Sequence, residues 1–233
     1  MALTYRALAL LLRYPGPEVR DLAPAAIEAI ETEALVPRPV RRALAKLAVS
    51  LASDDPYDLQ ERYVWLFDRT RSLSLNLYEH VHGESRERGP AMVGLVELYR
   101  AHGLDLAADE LPDHLPVFLD FLSTLPDAQA ASLIGEASHV IAALGERLHK
   151  RQSPYRAVTG ALLALAGDPA DADALAALMQ EHDDDPGDFA AMDRLWAETA
   201  VTFGPADVDC PKAQMLVAAM AKPGGPAPRR APV

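Results

Sequence analysis

Apolar side chains recur every three or four positions along most of the chain, the period of a helix with one buried face. Tyr5, Leu8 and Leu12 mark a first helix that stops at Pro15 and Gly16. Leu44, Leu47 and Leu51 mark another, ended by "SDDP". Ser53 or Asp54 is placed to cap the next helix, with Pro56 in its first turn. That helix, "YDLQERYVWLFDR", carries Leu59, Tyr63, Leu66 and Phe67 on one face. Met92, Val96 and Tyr99 define a face that ends at Gly103, a residue suited to a left-handed C-cap. Leu115, Phe118, Leu119 and Leu122 follow at i, i+3, i+4, i+7. Leu133, Ile134, Ala137, Ile141, Leu144 and Leu148 predict the longest helix, with the cations of "ERLHK" near its C-terminal end, where they suit the helix dipole. Tyr155, Val158, Leu162 and Leu165 mark the next. "GDPADADALAALMQ" and "DDPGDFAAMDRLWAETA" each open on Asp and Pro and continue as Ala-rich helices. No segment alternates as a strand. The expected architecture is an all-α bundle, one domain over residues 1–221, followed by a Pro/Gly-rich disordered tail at 222–233.

Composition sharpens this. Half of the 233 residues are hydrophobic and only 6% aromatic, with Ala and Leu leading, which favours helix over strand. The net charge of −12 argues against nucleic acid as a main partner, because phosphate binding needs clustered Lys and Arg. A single cysteine, Cys210, precludes an intrachain disulfide. The N-terminal run "ALALLL" is broken by Arg13 and lacks a cleavage signature, so it is read as a core helix. No apolar run reaches the roughly 18 residues of a membrane span. The expected location is the cytoplasm, without stable membrane insertion.

Two segments stand out chemically. "SLNLYEHVHGESRERG", residues 74–89, holds His80, His82, Glu79 and Glu84. One reading is a metal site; the spacing of two suits an extended segment and not a helix, and the His-Glu-x-x-His zinc pattern is absent. The other reading is a polar loop leading into a helix that starts near Glu87, since Pro90 belongs in a first turn. In "DELPDHLP", residues 109–116, Glu110 or Asp113 can orient His114 as a general base, or Asp113 can simply cap a helix with Pro112 or Pro116 in its first turn. No nucleophile elbow, phosphate loop, dinucleotide fingerprint or EF-hand accompanies them. Trp65 lies off the face shared by Tyr63 and Phe67 and is free to line a groove.

Together, "LYEHVHGESRERGPAM" and "LPDHLPVFLDFL" resemble the NarJ/TorD/DmsD family of assembly chaperones for molybdenum enzymes. "YVWLFD" is similar to the family's Tyr-x-x-Leu-Phe element, and "ELPDH" to its Glu-Pro-x-Asp-His element, from which Leu111 is a departure. The resemblance runs from about Leu3 to the region of Cys210 and is most specific over 74–122. It implies an all-helical, non-enzymatic chaperone without a cofactor of its own. The implied client is the catalytic subunit of respiratory nitrate reductase, bound in its apo form by the N-terminal segment and held for molybdenum cofactor insertion before membrane attachment. Cofactor delivery proteins are further implied partners. Carried over residue by residue, Asp113 and His114 line the peptide groove. A basic client segment would suit Glu79, Glu84, Glu110 and Asp113 as acids, with Trp65, Tyr78 and Phe118 as apolar contacts. His80, His82 and His114 would make binding depend on pH. Competing expectations are a metal-dependent hydrolase using His80, His82 and His114, and a structural adaptor that stays in an oxidoreductase complex.

Overall fold

The computed structural model describes residues 2–83, 85–107, 110–167, 170–180 and 183. Among them the backbone forms eleven α-helices: α1 (Leu3–Leu12), α2 (Pro17–Glu33), α3 (Arg38–Ser53), α4 (Pro56–Tyr63), α5 (Leu77–His82), α6 (Arg88–Ala101), α7 (Leu115–Leu122), α8 (Asp127–Glu136), α9 (Ser138–Lys150), α10 (Arg156–Ala166) and α11 (Ala172–Gln180). The all-α expectation holds. The expected domain end at 221, the tail at 222–233, Cys210, Glu84 and the helix of "DDPGDFAAMDRLWAETA" lie outside the described residues.

α1 packs on α2, α7 and α10, and α10 also meets α3, α8 and α9. Leu8, Leu11 and Leu12 of α1, Leu119 and Leu122 of α7 and Leu162 of α10 are all buried there. Each such side chain withdrawn from water contributes about 1.5–3 kcal/mol. The apolar face expected on α1 is therefore nearly a full circumference, because helices flank it on several sides.

The helix ends show how local signals and tertiary structure divide the work. α6 closes as the sequence suggests. Gly103 takes φ 77°, its N–H bonds to Arg100 O at 2.9 Å, and Leu104 N–H reaches Tyr99 O at 3.1 Å. These two bonds form a Schellman motif. The face of α6 differs from expectation: Leu95 and Tyr99 are its buried residues, whereas Met92 and Val96 are only partly covered. The cap of α4 is Asp55, not Ser53 or Asp54. Its carboxylate accepts from Tyr57 and Asp58 N–H at 2.9 and 3.3 Å, while Asp54 closes α3 and bonds Ser50. The helix predicted as the longest is two helices, α8 and α9, split at Ala137 (φ −90°, ψ 1°). Periodicity misses the break because the apolar phase continues through it. The longest described helix is α2, which contains Pro24.

α4 runs into a π turn over Val64–Asp68, closed by Arg69 N–H on Val64 O at 3.0 Å. The wider turn sets Tyr63 and Phe67 side by side, centroids 4.9 Å apart, and leaves Trp65 exposed. Tyr155 joins them edge-on, 5.1 Å from Phe67. The buried Tyr63 hydroxyl donates to Leu12 O at 2.9 Å, whereas the buried Tyr155 hydroxyl has no partner among the described residues. Burial pushes both phenols above their ordinary range. Tyr63→Phe should cost about 1 kcal/mol in urea denaturation, and Tyr155→Phe should be neutral or stabilising. Equal losses from the two would contradict this assignment.

Candidate functional site

The two sequence segments singled out above meet at a short antiparallel bridge between Asn76 and His114. Leu77 N–H donates to Asp113 O at 3.0 Å, and Leu115 N–H to Leu75 O at 2.8 Å. Residues 77–82, expected as loop, are α5, and the reason lies across this bridge. Asn76 makes no side-chain cap. Instead Asp113 Oδ2 accepts from Tyr78 N–H at 3.0 Å and caps α5 from 35 residues away. Asp113 has no exposed surface. Arg88 Nη2, at the start of α6, stands 4.0 Å from the same oxygen. Oδ1 has no hydrogen-bond partner among the described residues. Burial raises the Asp113 carboxyl above the ordinary range, and it outweighs the Tyr78 N–H and Arg88, which pull the other way.

On α5, His80 turns inward. It is 7% exposed, and its Nε2–H donates to Ser74 O at 2.7 Å. His82 is half-buried, its ring 5.5 Å from Tyr78 and nearly perpendicular to it. Glu79 accepts from Ser74 Oγ at 2.6 Å and lies 3.6 Å from Arg71 Nε. His114 is the half-buried N-cap residue of α7; burial, then the nearby Arg13 charge, lowers its pKa, so it is neutral near pH 7.

Beside this junction runs an apolar groove of about 380 Å³. Leu77, Tyr78 and Val81 of α5 and Ala91, Gly94, Leu95 and Leu98 of α6 form two walls. Phe118 of α7, Leu133 and Glu136 of α8, and His139 and Val140 of α9 complete it. Of the expected binding residues, Tyr78 and Phe118 line this groove. Asp113 and His80 are buried, are not part of its lining, and hold α5 through their bonds to Tyr78 N–H and Ser74 O. Glu79 and His82 are on α5 but not in the lining. Trp65 is 36% exposed on the π turn, outside the groove, and Glu110 lines a separate small hollow with Tyr99, Asp105 and Asp120. Residues that pattern reading missed are Val81, Gly94, Leu98, Glu136 and His139. α6 carries only two buried residues and a mixed face, so periodicity gave little reason to single out its groove side.

Among the described residues no three or more His, Cys, Asp or Glu side chains are grouped to hold a metal ion. His80, His82 and His114 do not converge, and the hydrolase alternative finds no support. No described helix is long and apolar enough to cross a membrane.

A protein-family model described as "Nitrate reductase delta subunit" matches residues 33–159, which span α3 to the start of α10 and so include every groove residue. This chain belongs to the nitrate reductase delta subunit family. It is 40% identical over 195 residues to the nitrate reductase molybdenum cofactor assembly chaperone NarJ of Escherichia coli (strain K12), covering 83% of this chain and 81% of that protein. It is 36% identical to the probable assembly chaperone NarW of the same strain, covering 85% of this chain and 82% of NarW. The probable NarJ of Bacillus subtilis (strain 168) is 32% identical, over 70% of this chain and 87% of that protein. These relatives, similar over most of their length, carry names describing cofactor assembly, and the groove lies wholly within the residues that the family model matches.

Proposed function

We propose that this chain is a non-enzymatic assembly chaperone for a respiratory nitrate reductase. It binds the catalytic subunit, notably its N-terminal segment, and keeps it open for molybdenum cofactor insertion before membrane attachment. The cofactor is cargo of the client here, and delivery proteins are further partners of the assembly. The observation that carries the reading is the apolar groove between α5 and α6 in a chain whose relatives are named as cofactor assembly chaperones. An amphipathic helix lays its apolar side into such a groove, and Glu136 at the rim favours a basic client segment.

Gly94 offers a clean test. It lines the groove on α6, and a Cβ there would meet nothing within 4 Å. Gly94→Phe should fill the groove without strain and hold or slightly raise stability, since Gly inside a helix costs roughly 0.5–1 kcal/mol against Ala. Affinity for the client's N-terminal peptide, measured by calorimetry, should fall about tenfold or more, a loss of about 1.4 kcal/mol. Unchanged affinity places the peptide elsewhere. Pull-down from cells respiring nitrate should recover the cofactor-free catalytic subunit; finding the chain permanently in the mature complex would instead favour an adaptor.

A further inference from the structure

A second cleft lies on a different face and shares no lining residue with the groove. It is bounded by α3, the C-terminal end of α9 and the first turn of α10, with a volume of about 1070 Å³. Its charged lining is cationic: Arg42 and Lys46 from α3, Lys150 from α9 and Arg156 from α10. All four are exposed, and among the described residues none pairs with a carboxylate, unlike Arg13, Arg41 and Arg151. Arg156 Nη1 donates to His149 Nδ1 at 2.6 Å, which fixes the guanidinium at the cleft wall. In a chain of net charge −12, four such cations around one cleft form a local field opposite to that of the whole.

The cleft continues into an apolar hollow of about 410 Å³ that shares Pro39, Ala43, His149, Arg156 and Ala157 with it. Val40, Leu163 and Leu175 supply apolar surface there, and Glu146 is its one acid among the described residues. Gly160 leaves the α10 backbone bare: a Cβ at that position would meet nothing within 4 Å. Residues from Ala142 to Lys150 of α9 border the combined surface, a run of about 12 Å at 1.5 Å per residue, or two turns of a docked helix.

We propose that this face docks an acidic amphipathic helix of a partner protein. Its carboxylates would meet the four cations, and its apolar side would cover Val40, Leu163 and Leu175. A phosphate-bearing small molecule fits less well. Its site wants donors converging in an enclosed pocket, whereas these cations are exposed, come from three helices and adjoin an apolar strip.

The probe is a synthetic helix of about 15 residues with Leu at i, i+3, i+4 and i+7 and Glu elsewhere. A scrambled peptide of equal composition and inorganic pyrophosphate serve as comparisons, all titrated against the full chain by calorimetry. The patterned peptide should bind about tenfold or more tightly than the scrambled one, and more weakly as salt rises. The triple variant Arg42→Glu, Lys46→Glu, Lys150→Glu changes only exposed side chains, so far-UV circular dichroism should match the parent while that binding is lost. Gly94→Phe should leave it intact, which separates this face from the client groove. Equal binding of the scrambled peptide, retention in the triple variant, or binding of pyrophosphate without the peptide each overturns the proposal.

Discussion

Arg147→Ala should destabilise the fold by about 3–5 kcal/mol, more than truncation of Asp113 or removal of the Tyr63 hydroxyl. Arg147 is 1% exposed. Its Nη1 donates to Ser72 O at 2.9 Å and its Nη2 to Leu178 O at 2.7 Å. Truncation leaves two carbonyls without their charged donors and opens a cavity the size of a guanidinium and its stem. A lysine keeps the charge and loses the two-pronged fork, so Arg147→Lys should recover only part of the loss. Urea denaturation measures both, and a loss below about 1 kcal/mol for the alanine variant would contradict this role. The same change should reach the groove. Ser72 leads directly to Ser74, whose carbonyl receives His80 and whose hydroxyl holds Glu79. Asp183 adds a pH signature. Burial pushes its carboxyl up, but Arg151, Ser72 and the Arg147 charge together hold it below the ordinary range. A carboxyl whose folded pKa is depressed stabilises the fold above its unfolded pKa and loses that contribution as pH falls through the folded value.

Arg147 also marks where reading the sequence stops. "ERLHK" suggests cations set at a helix end for the dipole, and for Lys150 in the last turn this holds. Nothing in the spacing tells that Arg147, on the same helix, faces inward, because its partners are backbone carbonyls 75 and 31 residues away. The same limit explains the helix starts. Glu33 accepts from Leu3 N–H, Thr4 N–H and the Thr4 hydroxyl at 2.6–2.7 Å and so caps α1, as Asp113 caps α5. Local caps are written within four residues and can be read, as with Gly103 on α6. Caps supplied from about thirty residues away cannot be, which is why α5 reads as loop.

The helical class and most apolar faces were legible because burial imposes a period. The candidate site was legible only as two segments that the fold brings together. The two segments do meet, through the bridge at Asn76 and His114. Individual roles were less so. Tyr78 and Phe118 line the groove, while His80 and Asp113 hold the wall that bears them. A polar residue that recognises a partner and one that positions a helix have the same chemistry in sequence; only burial separates them.

That distinction makes Asp113 the second decisive experiment. Asp113→Ala should cost about 1–3 kcal/mol, because removing this cap leaves the part-buried Tyr78 N–H without its acceptor. Asp113→Asn keeps an oxygen for that N–H and removes a buried charge, so its cost should be about 1 kcal/mol or less. The pH dependence has a definite sign. The folded-state pKa of Asp113 is raised, so over the window above its unfolded value the folded protein holds a proton that the unfolded chain has released. This residue's contribution is therefore fully present below the unfolded pKa and is lost as pH rises through the folded one. Stability of the parent minus that of Asp113→Asn should accordingly grow as pH falls into the acid range. A difference that shrinks would mean that Arg88 and the Tyr78 N–H outweigh burial. Client binding separates the two possible roles. If Asp113 itself met a cation of the client, the asparagine and alanine variants would lose affinity alike. If it acts by holding α5 against the groove, the asparagine variant keeps most of the affinity and the alanine variant loses it together with stability, and the absence of exposed Asp113 surface favours this second result.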